Sequence, residues 1–276
     1  MISQLKWGVQ RVANRLGYKI ERLDTPPPPR PVELDPQYAE ILRRTAPFSM
    51  TGCERIAGLV DAVRYVSKSK IAGALVECGV WRGGSMMAAA LALLESGEER
   101  DLYLFDTFAG MTEPSERDLD YTGGKAEETY RSSLVDGRSD WCYASLDDVR
   151  ANLASTGYPA QMCHFVKGDV LETIPAGAPA EIAILRLDTD WYESTRHELA
   201  HLFPRLAPGG ILIVDDYGHW SGSRQAVDEY FGEQPPFMFS VDYSCRVIVK
   251  DSAGPHAARK AETRPRLSSA GMSGGA

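Results

Sequence analysis

Four acidic residues stand at the abrupt ends of two apolar runs. Leu185-Arg186-Leu187 gives way to Asp188-Thr189-Asp190, and Ile211-Leu212-Ile213-Val214 gives way to Asp215-Asp216. An apolar run that stops in acid reads as a buried parallel strand delivering carboxylates at its carboxyl end. On neighbouring strands the four carboxylates would share one crevice, where so much like charge needs a cation or a bound proton to offset it. Open α/β sheets bind ligands at that edge. The chemistry these residues point to is a metal and catalytic site. A plainer role is open to Asp215-Asp216, which could cap the following helix, and to Asp190, which could N-cap a helix beginning at Trp191.

Positioning such acids takes a sheet, and the chain supplies its runs in order. Residues 74–79 give the first strand signal, and after the turn Val80-Trp81-Arg82-Gly83-Gly84 a helix follows, apolar at Met86, Met87, Ala90, Leu91 and Leu94. A second strand, Leu102–Asp106, ends in an acid about twenty residues beyond the glycines, where nucleotide-binding folds place a ribose-binding carboxylate. Residues 164–170 read as a third strand with its own terminal acid, Asp169. The period predicts helices over 36–44 and 53–67 capping the sheet, another starting after Ser145, one over 191–206 that Pro208-Gly209-Gly210 stops, and one over 221–231. Residues 237–241 and 246–249 read as a terminal hairpin. Between 107 and 145 no period is visible, and a stretch of that length predicts a cover over the active site.

Composition narrows the function classes. A chain of 276 residues with 43% hydrophobic content can furnish one full α/β core, placed at 36–250. Net charge is 30 − 38 = −8 with no basic stripe, so no nucleic-acid partner is expected. The five cysteines are scattered and form no Cys-x-x-Cys pair, which predicts neither a disulfide framework nor a zinc knuckle and fits a cytoplasmic setting. The amino-terminal stretch lacks the apolar core of a signal peptide, and no run reaches the roughly 18 apolar residues of a membrane span. Residues 1–35 read as a helical arm, with Leu5, Val9, Val12, Leu16 and Ile20 on one stripe, followed by the polyproline linker Thr25-Pro26-Pro27-Pro28-Pro29-Arg30-Pro31. The stripe predicts docking in a homo-oligomer, a dimer or tetramer. Residues 251–276, rich in Gly, Ser and Ala, predict a disordered tail.

Four motifs then occur in a specific order: Glu77-Cys78-Gly79-Val80-Trp81-Arg82-Gly83-Gly84-Ser85, Leu104-Phe105-Asp106-Thr107-Phe108-Ala109-Gly110-Met111, Leu187-Asp188-Thr189-Asp190-Trp191-Tyr192-Glu193-Ser194-Thr195 and Asp215-Asp216-Tyr217-Gly218. Over roughly Phe48 to Lys250 the chain resembles the class I S-adenosylmethionine-dependent methyltransferases, and more closely the macrocin O-methyltransferase family. The resemblance implies a doubly wound, mostly parallel seven-stranded α/β sheet with a terminal antiparallel hairpin. It also implies methylation of deoxysugar hydroxyls on glycosylated natural products, with S-adenosylmethionine and a divalent metal, Mg²⁺. The glycine turn departs from the Gly-x-Gly-x-Gly of many methyltransferases, since Trp81 takes the middle glycine's place, and it lacks the dinucleotide pattern as well.

Carried over residue by residue, the resemblance assigns Asp188, Asp215 and Asp216 to the metal and Asp190 to the general base. Hard oxygen ligands of this kind suit a partly hydrated Mg²⁺. His219 and His197 are rival bases, each also readable as a packed or solvated histidine. The implied cofactor set is Glu77, Gly79, Arg82, Ser85, Asp106, Ser145, Asp169 and Asp188. Within it Asp106 would take the ribose hydroxyls and Asp169 the adenine amino group, while Glu77, inside a buried strand, must be held by hydrogen bonds near the methionine end. Asp106 and Asp169 could instead be solvated turn acids, Ser145 a helix cap, and Arg82 a stem covering its helix. Two other functions stay open: a metal-dependent phenol or catechol methyltransferase, and a non-catalytic S-adenosylmethionine-binding module.

Overall fold

The computed structural model describes residues 35–251. The amphipathic stripe, the proline-rich linker and the tail lie outside the described residues. In chain order the elements are α1 (Pro36–Thr45), α2 (Cys53–Lys68), β1 (Ala74–Cys78), α3 (Gly84–Ser96), β2 (Leu102–Asp106), α4 (Ala126–Ser132), β3 (Leu134–Val135) and β4 (Arg138–Ser139). They continue with α5 (Leu146–Ala154), β5 (Cys163–Lys167), α6 (Val170–Thr173), β6 (Ile182–Leu187), α7 (Tyr192–Leu202), β7 (Leu206–Val214), α8 (Ser221–Phe231), β8 (Met238–Ser240) and β9 (Arg246–Val249).

Seven strands form one sheet in the order β5-β2-β1-β6-β7-β9-β8. The first five run parallel, and β9 lies antiparallel to both β7 and β8. The expected doubly wound sheet with its terminal hairpin is therefore present. Every residue of β1 and β6 is buried, as strands covered by helices on both faces must be. One core joins the sheet to α1, α2, α3 and α5, and a second joins the other face to α7 and α8. Strand order reverses between β1 and β6, and such a switch point opens a crevice at the carboxyl ends.

Register brings the motifs to one level. Leu187 pairs with both Cys78 and Val214, so Gly79, Asp188 and Asp215 leave the sheet side by side. Gly79 has φ 79°, and a Cβ there would lie 2.0 Å from the carbonyl oxygen of Asp188. Only glycine lets the first turn pass so close to the β6 end.

Three boundaries differ from the periodicity reading. The third strand stops at Lys167, because Gly168 takes φ 142° and Asp169 already caps α6. Helix α7 stops at Leu202 and gives way to a 3-10 turn, Phe203–Arg205, containing Pro204. Pro208-Gly209-Gly210 then lies inside β7 and does not precede it, because Gly209 N–H donates to the Lys250 carbonyl and Lys250 N–H to that of Gly210. The aperiodic 107–145 stretch contains α4 and the β3–β4 hairpin, and it is fastened to the starts of α7 and α8. Asp118 Oδ1 accepts from Tyr192 N at 2.8 Å, and Ser221 Oγ donates to the Arg117 carbonyl at 2.6 Å. Trp141, Trp191 and Trp220 pack edge to face beside these bonds.

Candidate active site

A cavity of about 390 Å³ opens at the switch point. It is lined by Gly79, Ser85, Asp106, Asp188, Asp190, Asp215 and Asp216, together with Trp81, Arg55 and His219. Its volume is in the range of small-molecule sites.

The acid side is built by the ends of β6 and β7. One oxygen from each of Asp188, Asp215 and Asp216 lies within 4.8 Å of the others. Beneath them Arg186, only 3% exposed, projects from the interior of β6. Its Nη1 donates to Glu77 and, at 2.5 Å, to Asp188 Oδ2; its Nη2 donates to Asp215 Oδ1 at 2.5 Å and to Thr51 Oγ1 at 3.2 Å. Arg55, from the first turn of α2, donates to Asp215 Oδ2 at 2.5 Å and to Asp242 Oδ2 at 2.7 Å. Six carboxyl groups, Glu77, Asp188, Asp190, Asp215, Asp216 and Asp242, therefore face two guanidiniums.

That imbalance shows in the proton affinities. Burial, reinforced by neighbouring carboxylates, pushes Asp188 and Asp216 well above the usual carboxylate range, with Arg186 opposing at Asp188. Burial raises Asp190 to about 7, opposed by a hydrogen bond with Asp216 and reinforced by Asp188 and Asp215. Two acids bonded to each other must share a proton, which is how a crowded site answers missing positive charge.

These residues fit a divalent metal. Asp216 Oδ2 is buried without a hydrogen-bond partner, and the donors are all hard oxygens. Asp215 is already bonded to two arginines, yet a carboxylate has about four lone-pair sites and can accept those bonds while ligating. The capping alternatives find no support in the helix starts. Helix α8 begins after Trp220 and α7 after Trp191, neither with a side-chain cap bond from these acids. The bond at α7 comes from Asp118, while Asp190 sits in a left-handed turn at φ 70°.

On the β1–β2 side, Asp106 holds two turns together. Its Oδ2 accepts from Val80 N at 2.8 Å and Trp81 N at 3.2 Å, and its Oδ1 from Phe108 N at 2.7 Å. Trp81 adopts φ 45°, so an indole occupies a backbone conformation that glycine ordinarily takes. Glu77 lies under the turn, raised to about 7 by burial against the pull of Arg186.

Other expected residues point elsewhere. Arg82 makes a two-pronged pair with Asp148 at 2.8 and 3.1 Å and covers the Phe48 ring. Ser145 accepts from Asp148 N as the cap of α5, and Asp169 accepts from Leu171 N as the cap of α6. None of the three lines the cavity. His219 does line it, whereas the His197 ring meets the Ile174 carbonyl on α7. Arg186, Arg55 and Asp118 were not anticipated. Only Arg186 carried a signal, as a charge inside an otherwise apolar strand.

Comparison with known proteins supplies the family. The macrocin-O-methyltransferase (TylF) family model matches residues 40–246. Over 185 residues the chain is 34% identical to 8-demethyl-8-(2,3-dimethoxy-alpha-L-rhamnosyl)-tetracenomycin-C 4'-O-methyltransferase of Streptomyces olivaceus, covering 67% of each chain. It is 31% identical to mycinamicin III 3''-O-methyltransferase of Micromonospora griseorubida over 188 residues, 67% of this chain and 71% of that one. The solved structure of the O-methyltransferase NovP aligns with a TM-score of 0.63 at 28% identity, covering 74% of this chain and 82% of NovP. An enzyme family accounts for a buried acid cluster in a way that a non-catalytic binding module does not. The chain belongs to the macrocin-O-methyltransferase family.

Proposed function

We propose that the enzyme transfers the methyl group of S-adenosylmethionine to a sugar hydroxyl of a glycosylated natural product, with Mg²⁺ held by Asp188, Asp215 and Asp216. The observation that carries this reading is the convergence of those three acids and Asp190 beside the Gly79–Asp106 turns in one cavity. Gly79, Ser85 and Asp106 line the part of the cavity where the cofactor would sit, with Glu77 beneath them. When bound, the cation would lower the pKa of a coordinated hydroxyl and fix its orientation. Asp190, buried and raised to about 7, is placed to take that proton near neutral pH. Arg186 and Arg55 hold the ligand carboxylates in place. The 107–145 segment, fixed through Asp118, excludes water from one wall.

Sugar is favoured over phenol or catechol because a rhamnosyl glycoside appears in the name of one relative. Arg82, Ser145 and Asp169 remain candidates for the cofactor set, acting from outside the cavity wall. The cytoplasm is the proposed setting, supported by five free cysteines and, among the described residues, no helix long and apolar enough to cross a membrane. A homo-oligomer remains the proposed assembly.

The test is methyl transfer from labelled S-adenosylmethionine to a panel of glycosides and catechols, with Mg²⁺ and with excess chelator. The reading expects label on a glycoside hydroxyl only when Mg²⁺ is present. Label on catechols alone would overturn the sugar assignment.

A further inference from the structure

The acids form one end of the cavity, and His219 and the exposed Tyr243 line its solvent side. Tyr121, outside the lining, packs against both, with the three ring centroids 5.3, 5.7 and 5.9 Å apart and planes inclined at 57°, 67° and 66°. Tyr121 is 68% exposed and Tyr243 58%, and Met50 on the cavity wall is 65% exposed. Large apolar side chains are seldom left uncovered in a cluster, and where they are they mark a binding surface.

The corner is tied to the acid site. His219 Nδ1 and the Tyr243 hydroxyl are 2.8 Å apart, and the Arg55 guanidinium that bonds Asp215 lies 5.9 Å from the centre of the Tyr243 ring. Trp220 backs His219 at 4.9 Å. Tyr121 and Tyr243 keep more than half of their surface exposed, and aromatic pairs favour offset or edge contact with a flat guest.

Resting on the sugar reading above, we propose that this corner seats a planar aromatic aglycone carried by the acceptor sugar. A sugar hydroxyl presented to Asp190 leaves whatever is attached to that sugar pointing out through the mouth. A nucleoside diphosphate there would require cations. Among the described residues lining the cavity, Arg55 is the one fixed cation, and it is engaged by Asp215 and Asp242. The rings and the adaptable Met50 thioether suit an uncharged flat group instead.

The test is calorimetric titration of the full chain with nitrophenyl, cyclohexyl and methyl α-L-rhamnosides, in the presence of S-adenosylhomocysteine and Mg²⁺. The nitrophenyl glycoside should bind about tenfold more tightly than either of the others. The double variant Tyr121→Ala, Tyr243→Ala should erase that advantage, and Tyr121→Phe, Tyr243→Phe should keep it. Equal affinity for all three probes, including no measurable binding of any, overturns the proposal, as does an advantage that survives the double alanine variant. An intact advantage without methyl transfer to any rhamnoside supports the aromatic corner while contradicting the sugar reading on which the choice of probe rests.

Discussion

The two halves of the cavity answer negative charge in different ways. At the end of β2, Asp106 is served by three backbone N–H groups and, at 3.5 Å, by the Thr107 hydroxyl. At the ends of β6 and β7, four acids crowd together, two arginines serve some of their oxygens, and Asp216 Oδ2 has no partner. Backbone donors are fixed by the fold and oppose the burial that raises the Asp106 pKa. Crowded side chains leave a deficit of positive charge that ligands and protons must fill. One half is suited to positioning, the other to reaction.

The sharpest way to break this contrast is to remove the proposed base. Asp190→Asn should lower kcat by about 10²- to 10⁴-fold, the usual contribution of a general base, with cofactor affinity largely retained. Labelled-methyl kinetics alongside calorimetric titration of the cofactor separate the two effects. Equal losses in both would erase the division between halves.

Next in size is Arg186→Met. Removing a buried guanidinium strands Glu77 and Asp188 and leaves Asp215 with Arg55 alone, and losing one partner of a buried ion pair costs about 3–5 kcal/mol. Urea denaturation should show that loss. The matching change on the backbone-served side, Asp106→Asn, should cost less than Arg186→Met and lower cofactor affinity by about tenfold, roughly 1.4 kcal/mol.

Glu198 extends the contrast below the site. It is fully buried on α7, accepts from Thr189 Oγ1 at 2.9 Å, and is raised to about 8 by burial. Its folded pKa exceeds the unfolded value of about 4.3, so the folded state holds the proton more tightly. Stability from this group is present at low pH and is lost as pH rises from about 4.3 towards 8. Glu198→Gln, which keeps the neutral shape, should flatten that slope, as denaturation midpoints at several pH values would reveal. An unchanged slope in the variant would show that Glu198 is not the group responsible.

What could be read from the chain follows the same division. Asp188 and Asp215 were visible because a buried run ends in acid, a pattern that local burial imposes on sequence. Seven mostly parallel strands with a terminal hairpin followed from the runs and from motif resemblance. Arg55 was hidden because its partner Asp215 lies 160 residues away, and nothing local marks a surface-helix arginine as an internal counter-ion. Asp118 was hidden for a different reason. It lies in a stretch without period, and only the fold brings it to the first turn of α7, where Gly222 must lack a side chain because a Cβ would lie 1.9 Å from Asp118 Oδ1. The capping bonds of Ser145 and Asp169 are local and readable, but motif order and cap chemistry prescribe the same residue types there, so sequence could not choose between the roles.

The central claim is that the unanswered charge at the β6 and β7 ends is a divalent metal site required for methyl transfer. The direct measurement is the initial rate of methyl transfer to an accepted glycoside during Mg²⁺ titration of chelator-treated enzyme, for the wild type and for Asp188→Ala. The account predicts no turnover without metal, saturable recovery in the wild type, and no recovery in the variant. Full activity of the wild type in excess chelator would contradict it.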